Sequence, residues 1–133
     1  MSAVGERLPR ATAGRVGSID VTISRLGAPL LRARDATTCW QRLRGLHGML
    51  PLGSSRALIL RPCRAIQTIG MPHSIDVVFL DREGRILRIE TVPPARLCLC
   101  PGARVAVEMA SGTASRLGLA RGHVLSSSAG NWS

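Results

Sequence analysis

The sequence contains no lysine and no tyrosine, and its aromatic residues are limited to Trp40, Phe79 and Trp132. A core so poor in rings has to be filled by Leu, Ile, Val and Ala, and it forgoes the contact area that aromatic side chains supply. The same scarcity removes the stacking platforms on which proteins seat unpaired bases. Apolar runs are short as well, and none approaches the roughly 18 residues that cross a bilayer as a helix. The first residues, interrupted by Glu6, Arg7 and Arg10, lack the basic start, apolar middle and small-residue cleavage site of a secretory signal. A cytoplasmic location with no membrane association is the resulting expectation.

Acids are also few. Eight Asp and Glu face 18 basic residues, all arginine, which leaves a net charge of +10 on 133 residues. Residues 1–44 hold eight arginines against Glu6, Asp20 and Asp35, and the remainder holds ten against five acids, so each part carries +5 and the charge is denser in the first third. Such a field attracts acidic partners or nucleic acid at long range. Without a base-reading motif or interleaved aromatics the attraction is sequence-blind, and nucleic acid is the disfavoured partner on sequence grounds.

The four cysteines, Cys39, Cys63, Cys98 and Cys100, are too irregularly spaced to define a disulfide framework, and they read as reduced thiols. Cys98 and Cys100 would share one face of a strand. Zinc needs two further ligands, however, and Cys63, His73 and His123 follow no recognised ligand spacing, so neither metal nor cofactor is expected. Cys39 and His47 show no spacing that would set a base beside a sulfur nucleophile. Phosphate-binding loops, dinucleotide fingerprints, nucleophile elbows and His-Glu-x-x-His are all missing.

What remains is a series of short extended patterns in a chain of single-domain size. Residues 1–17 mix Gly, Pro, Ala and charge without a period and read as a flexible leader; residues 18–127 form the domain, and 128–133 a disordered tail. Ile19 to Ser24 alternates apolar and polar residues as a half-buried strand does. Asp35 or Thr37 can cap a short helix in which Trp40, Leu43 and Leu46 recur at three-residue steps up to Gly45. Ala57 to Leu60, Ala65 to Met71, Leu97 to Cys100, Arg104 to Met109 and His123 to Ser126 read as strands, and Thr113 to Leu119 as a helical turn. The firmest local pattern is a hairpin over 75–90, in which Asp81-Arg82-Glu83-Gly84 turns between the apolar run at Ile75 and the alternation from Arg85. Together these predict a mainly β, single-domain β-sandwich or partly closed barrel of about seven or eight strands with one or two short helices.

The central residues, Cys63 to Met71 (CRAIQTIGM) followed by Ile75-Asp76 and the block through Phe79, Asp81, Gly84 and Ile86, resemble the core signature of the domain-of-unknown-function 192 family. Arg42 with Gly45-Leu46, and Val107-Glu108-Met109 with Gly112, resemble its flanking pieces. The resemblance spans about residues 20–126 and implies a small β fold with no established reaction. Family members often carry His where this chain has Gln67, and Gly-Asp where it has Gly122-His123. Both differences remove groups that catalysis at those positions would use.

Asp76 is the leading site candidate, because a carboxylate between Ile75 and Val77 must be neutralised or hydrogen-bonded to offset its desolvation. It can anchor a neighbouring loop or an arginine such as Arg42, or it can serve a ligand. Gln67, Met71 and Cys63 lie on the preceding segment. Gln67 would present an amide to a polar ligand without acid–base capacity. The expected function is a non-enzymatic binding or accessory module with a cleft at Cys63, Gln67, Met71, Asp76 and Arg42 for a small polar ligand or a protein partner. The alternatives are a hydrolase-like enzyme using Asp76 and an electrostatic nucleic-acid binder acting through the arginine excess.

Overall fold

The computed structural model describes residues 19–36 and 56–132. Two strands open the described chain, β1 (Ile19–Arg25) and β2 (Ala28–Ala36), joined at the left-handed Leu26-Gly27 turn. Then come β3 (Arg56–Leu60), β4 (Ala65–Gln67), β5 (Ile75–Leu80), β6 (Ile86–Val92), β7 (Leu97–Leu99) and β8 (Val105–Ala110). A single-turn helix α1 (Thr113–Arg116) and a short β9 (Ser126–Ser127) complete the order. Seven strands form one mixed sheet in the order β9-β1-β2-β3-β8-β5-β6, and β4 and β7 pair separately. The fold is therefore mainly β and sandwich-like, with an open sheet rather than a closed barrel.

Strand alternation divides the core in two. One face of the large sheet carries Val21, Ile23, Leu31, Ala33, Ile59, Val78, Leu80, Val105, Val107 and Met109, which pack with Ala114, Leu125 and Trp132. The opposite face carries Leu58, Leu60, Ile75, Val77, Phe79, Val92 and Ala106, and the small sheet covers it with Ile66, Cys98 and their neighbours. The central strand β5 is buried throughout because it lies between β8 and β6 and is covered on both faces. That placement explains its continuous apolar run. β2 and β3 run parallel.

The hairpin forms as its turn residues dictate. Asp81 Oδ1 accepts hydrogen bonds from the amides of Glu83 and Arg85, both at 2.9 Å, and Gly84 N donates to Asp81 O at 3.0 Å. Gly84 is required twice over: its φ is +87°, and a Cβ there would lie 2.2 Å from Leu125 O and 2.4 Å from Trp132 Nε1.

Several expectations are corrected. Asp35 does not cap a helix; it lies in β2, paired with Arg61. The rest of the expected helix, Arg42 included, lies outside the described residues, as does the leader. β2 was missed although Leu31-Arg32-Ala33-Arg34 alternates, and it raises the described strands to nine. The extended run from Ala65 stops at Gln67, because Met71 N donates to Thr68 O across a turn containing left-handed Gly70. The last strand is Ser126–Ser127, with Val124 contributing only an isolated bridge to Arg85. The C-terminal residues expected to be disordered are tied down instead. Ser128 N donates to Thr22 O, and Trp132, 3% exposed, donates from Nε1 to Leu125 O at 2.8 Å. Cys63 is disulfide-bonded rather than a reduced thiol, a pairing that cysteine count and spacing could not decide, whereas Cys98 and Cys100 are free.

The crowding at Gly84 leads to a measurable expectation. Gly84→Ala should lower unfolding free energy by about 2–3 kcal/mol in urea titrations, with loss of the native tryptophan fluorescence signal as Trp132 is displaced.

Candidate functional site

The site begins with Asp76, on β5 between residues of the two-faced apolar run and only 2% exposed. Alternation turns it away from Ile75 and Val77 and onto the face that α1 covers. Three donors satisfy it. Thr91 Oγ1, from the partner position on β6, donates to Oδ1 at 2.8 Å, and the amides of Gly112 and Ala114 donate to Oδ2 at 3.0 Å each. The carboxylate thus fixes the β8–α1 connection against β5 and β6, supplying from another strand the cap that Gly112 has no side chain to provide.

Met71 and Cys63 are buried in the other core cluster, beneath the small sheet. Gln67 is half-buried on β4, opposite Leu97 of β7. The large sheet therefore lies between Asp76 and its expected companions. Met71 and Cys63 share a cluster, while Asp76 and Gln67 do not come together, and Arg42 lies outside the described residues.

An open groove does exist elsewhere, on the side of the sheet that β4 and β7 cover. It has a volume of about 360 Å³ and lies between β6 and β7, lined by Arg88, Glu90, Val92, Arg96, Leu97 and Leu99 among others. β6 is the terminal strand of the large sheet, and past the Arg85–Val124 bridge no described strand pairs with its outer edge. Arg88 spans the groove, donating from Nε to Glu90 Oε2 at 2.9 Å and from Nη1 to Leu99 O at 2.8 Å. The hydrogen bond and charge of Glu90 hold the Arg88 guanidinium above its ordinary value. Burial pushes the Cys98 thiol up, partly offset by the charge of Arg88, which leaves that sulfur protonated and a poor nucleophile. Leu97 and Leu99, at 66% and 52% exposure, present apolar surface beside it.

One end of the groove is shaped by Thr68, which sequence reading passed over. Fully buried, it donates from Oγ1 to Pro93 O at 2.6 Å and accepts at Oγ1 from Arg96 N at 2.9 Å, clamping the β6–β7 loop to the β4–β5 turn. A polar residue inside an apolar extended run was the signal available. Nothing in the sequence paired Arg88, Glu90 and Arg96 with β7. Among the described residues no cluster of three or more His, Cys, Asp or Glu could hold a metal ion, and no helix is long and apolar enough to cross a membrane.

With this geometry in place, comparison with known proteins becomes informative. A family model, that of DUF192, an uncharacterized ACR, matches residues 21–127. The chain belongs to the DUF192 family. Two crystal structures resemble this member of the family in fold. One is a protein of unknown function from Novosphingobium aromaticivorans DSM 12444, with a TM-score of 0.70, 21% identity, and coverage of 87% of this chain and 91% of that one. The other is a "putative transcription regulator" from Sinorhizobium meliloti 1021, with a TM-score of 0.71, 19% identity, and coverage of 86% and 98%. At these identities the likeness extends to the fold. No curated protein matches the chain.

The hydrogen bonding around Asp76 distinguishes charge from shape. Asp76→Ala should cost about 3 kcal/mol in chemical denaturation, because two backbone amides and a hydroxyl lose their acceptor. Asp76→Asn should cost only about 1 kcal/mol, since its oxygen can accept from both amides while its NH₂ donates to a reoriented Thr91 hydroxyl. Equal losses in the two variants would contradict this assignment.

Proposed function

We propose that this DUF192 member is a non-enzymatic binding module for a protein partner, which it receives as an extended segment in the groove between β6 and β7. The observation that carries the reading is the outer edge of β6 from Arg88 to Val92, bordering an open groove with no described strand against it. An edge strand offers a row of backbone donors and acceptors that an incoming strand can continue, and flanking side chains then select the sequence. Here Arg88 and Arg96 favour acidic side chains, and Leu97 with Leu99 favours apolar ones. A peptide alternating the two types fits this lining. Glu90 already neutralises much of Arg88, so Arg96 is the cation more available to a ligand.

A binding role fits Asp76 better than catalysis does. Both of its oxygens are occupied by internal donors, and it is walled from solvent, so an acid–base step there would have to break the contacts that hold α1. The small polar ligand anticipated at Gln67 and Met71 is less favoured, because Met71 is 5% exposed and packed into the core beneath the small sheet.

The test uses a fluorescein-labelled peptide of alternating valine and aspartate, followed by anisotropy. Saturable binding in the micromolar to millimolar range is expected, weakened about tenfold by Arg96→Glu, a change worth roughly 1.4 kcal/mol. Binding that survives this variant unchanged, or fails to appear at millimolar peptide, would rule the groove out.

A further inference from the structure

Toward the other end of the large sheet, on the same face as the groove, three arginines converge on one carboxylate. Asp20 of β1 has Arg56 Nη2 at 3.3 Å, Arg32 Nη2 at 3.8 Å and Arg34 Nε at 4.0 Å. The register explains the convergence. Asp20 pairs with Arg34 across β1 and β2, and Arg32 stands opposite Arg56 across β2 and β3, so all four project from one face. Their side chains are 38–61% exposed, so the cluster is a surface feature, and Asp20 offsets one of three positive charges.

Two arginines directly opposite each other on neighbouring strands repel. The rest of the chain has little counter-charge to offer them. Asp35 is engaged by Arg61, Glu90 by Arg88, Asp76 by backbone amides and Asp81 by its own turn, while Glu108 is fully buried and Glu83 lies in the hairpin turn after β5. Residues 37–55 contain no acid, and residues 1–18 only Glu6. The excess charge at this face thus calls for an anion from outside.

We propose that the β1–β3 face binds the phosphate backbone of duplex nucleic acid, without reading its sequence. Adjacent strands, about 4.8 Å apart, set several guanidiniums within reach of successive phosphates, which guanidinium forks recognise well. No aromatic side chain belongs to the cluster, so contact to backbone rather than stacking on bases is the chemistry available. This surface is separate from the β6–β7 groove, and its test is independent of peptide binding.

The experiment follows anisotropy of a labelled 20-base-pair duplex of mixed sequence between about 50 and 200 mM salt. The intact chain should bind at low salt, with log affinity falling linearly against log salt. Arg32→Gln with Arg56→Gln should weaken binding at least about tenfold and reduce the slope by about 2. Arg82→Gln with Arg121→Gln makes the same change in net charge at exposed positions away from the cluster, and should shift affinity less than about threefold. Asp20→Asn should strengthen binding about threefold, a gain that misfolding cannot imitate. The proposal is overturned by no retention at low salt, by equal losses in the two double variants, by weakened binding in Asp20→Asn, or by binding to phosphatidylglycerol vesicles with none to duplex.

Discussion

A carboxylate enclosed by aliphatic side chains has to find its hydrogen bonds inside the protein, and Asp76 finds three donors on two segments. Thr91 comes from the neighbouring strand, and the two amides come from the chain leaving β8. The short helix α1, a single turn with no side-chain cap of its own, is held where Ala114 can pack into the core because Asp76 receives its first amides. Backbone N–H groups at a helix start need an acceptor, and one placed on a rigid central strand is more precisely located than one on a loop.

From that anchor the two faces of the sheet acquire different coverings. Helix α1 and the segment ending in Trp132 close one face, and the β4–β7 pair closes part of the other. The apolar side chains on β5 serve both faces, because each face of the sheet is covered there. The same arrangement separates the residues that sequence proximity had grouped. Met71 lies five positions before Asp76, yet the thickness of the sheet stands between their side chains. Nearness along a chain that alternates faces is a poor guide to nearness in space.

What could be read from the residues followed this logic. The hairpin was legible because Asp81 and Gly84 have local reasons for their positions, independent of anything distant. The burial of Asp76, and its need for partners, was legible from its apolar flanks; the identity of those partners was not, since Gly112 and Ala114 contribute backbone rather than side chain. Asp35 was misread for a related reason. Aspartate is a good helix cap wherever a helix follows, but its pairing with Arg61 depends on β3 lying parallel to β2, a long-range fact that short-range pattern does not carry. Trp132 likewise looked like part of a polar tail, because neighbours rich in Ser and Gly say nothing about the Gly84 surface that receives it. The groove needed tertiary structure entirely, since it arises where β7 folds back near the edge of β6.

One cross-strand line connects the two proposed surfaces. Asp20, Arg34, Leu58, Glu108, Val77 and Glu90 stand side by side from β1 to β6, all projecting from the same face. Its exposed members at either end are ionisable, and Leu58 and Val77 belong to the core where covering is complete. Glu108, fully buried, is the exception within the covered stretch. Burial has therefore sorted this line by covering: where β4 and β7 lie over the sheet the row is mostly oily, and where they stop it becomes charged. The ends differ in sign and geometry. Toward β6 a carboxylate and a guanidinium neutralise each other beside an open strand edge, which leaves backbone pairing as the main attraction. Toward β1 the guanidiniums outnumber the carboxylate, which leaves charge. The two proposed recognition modes of this partially covered sheet depend on different interactions, so salt should act strongly on one and weakly on the other.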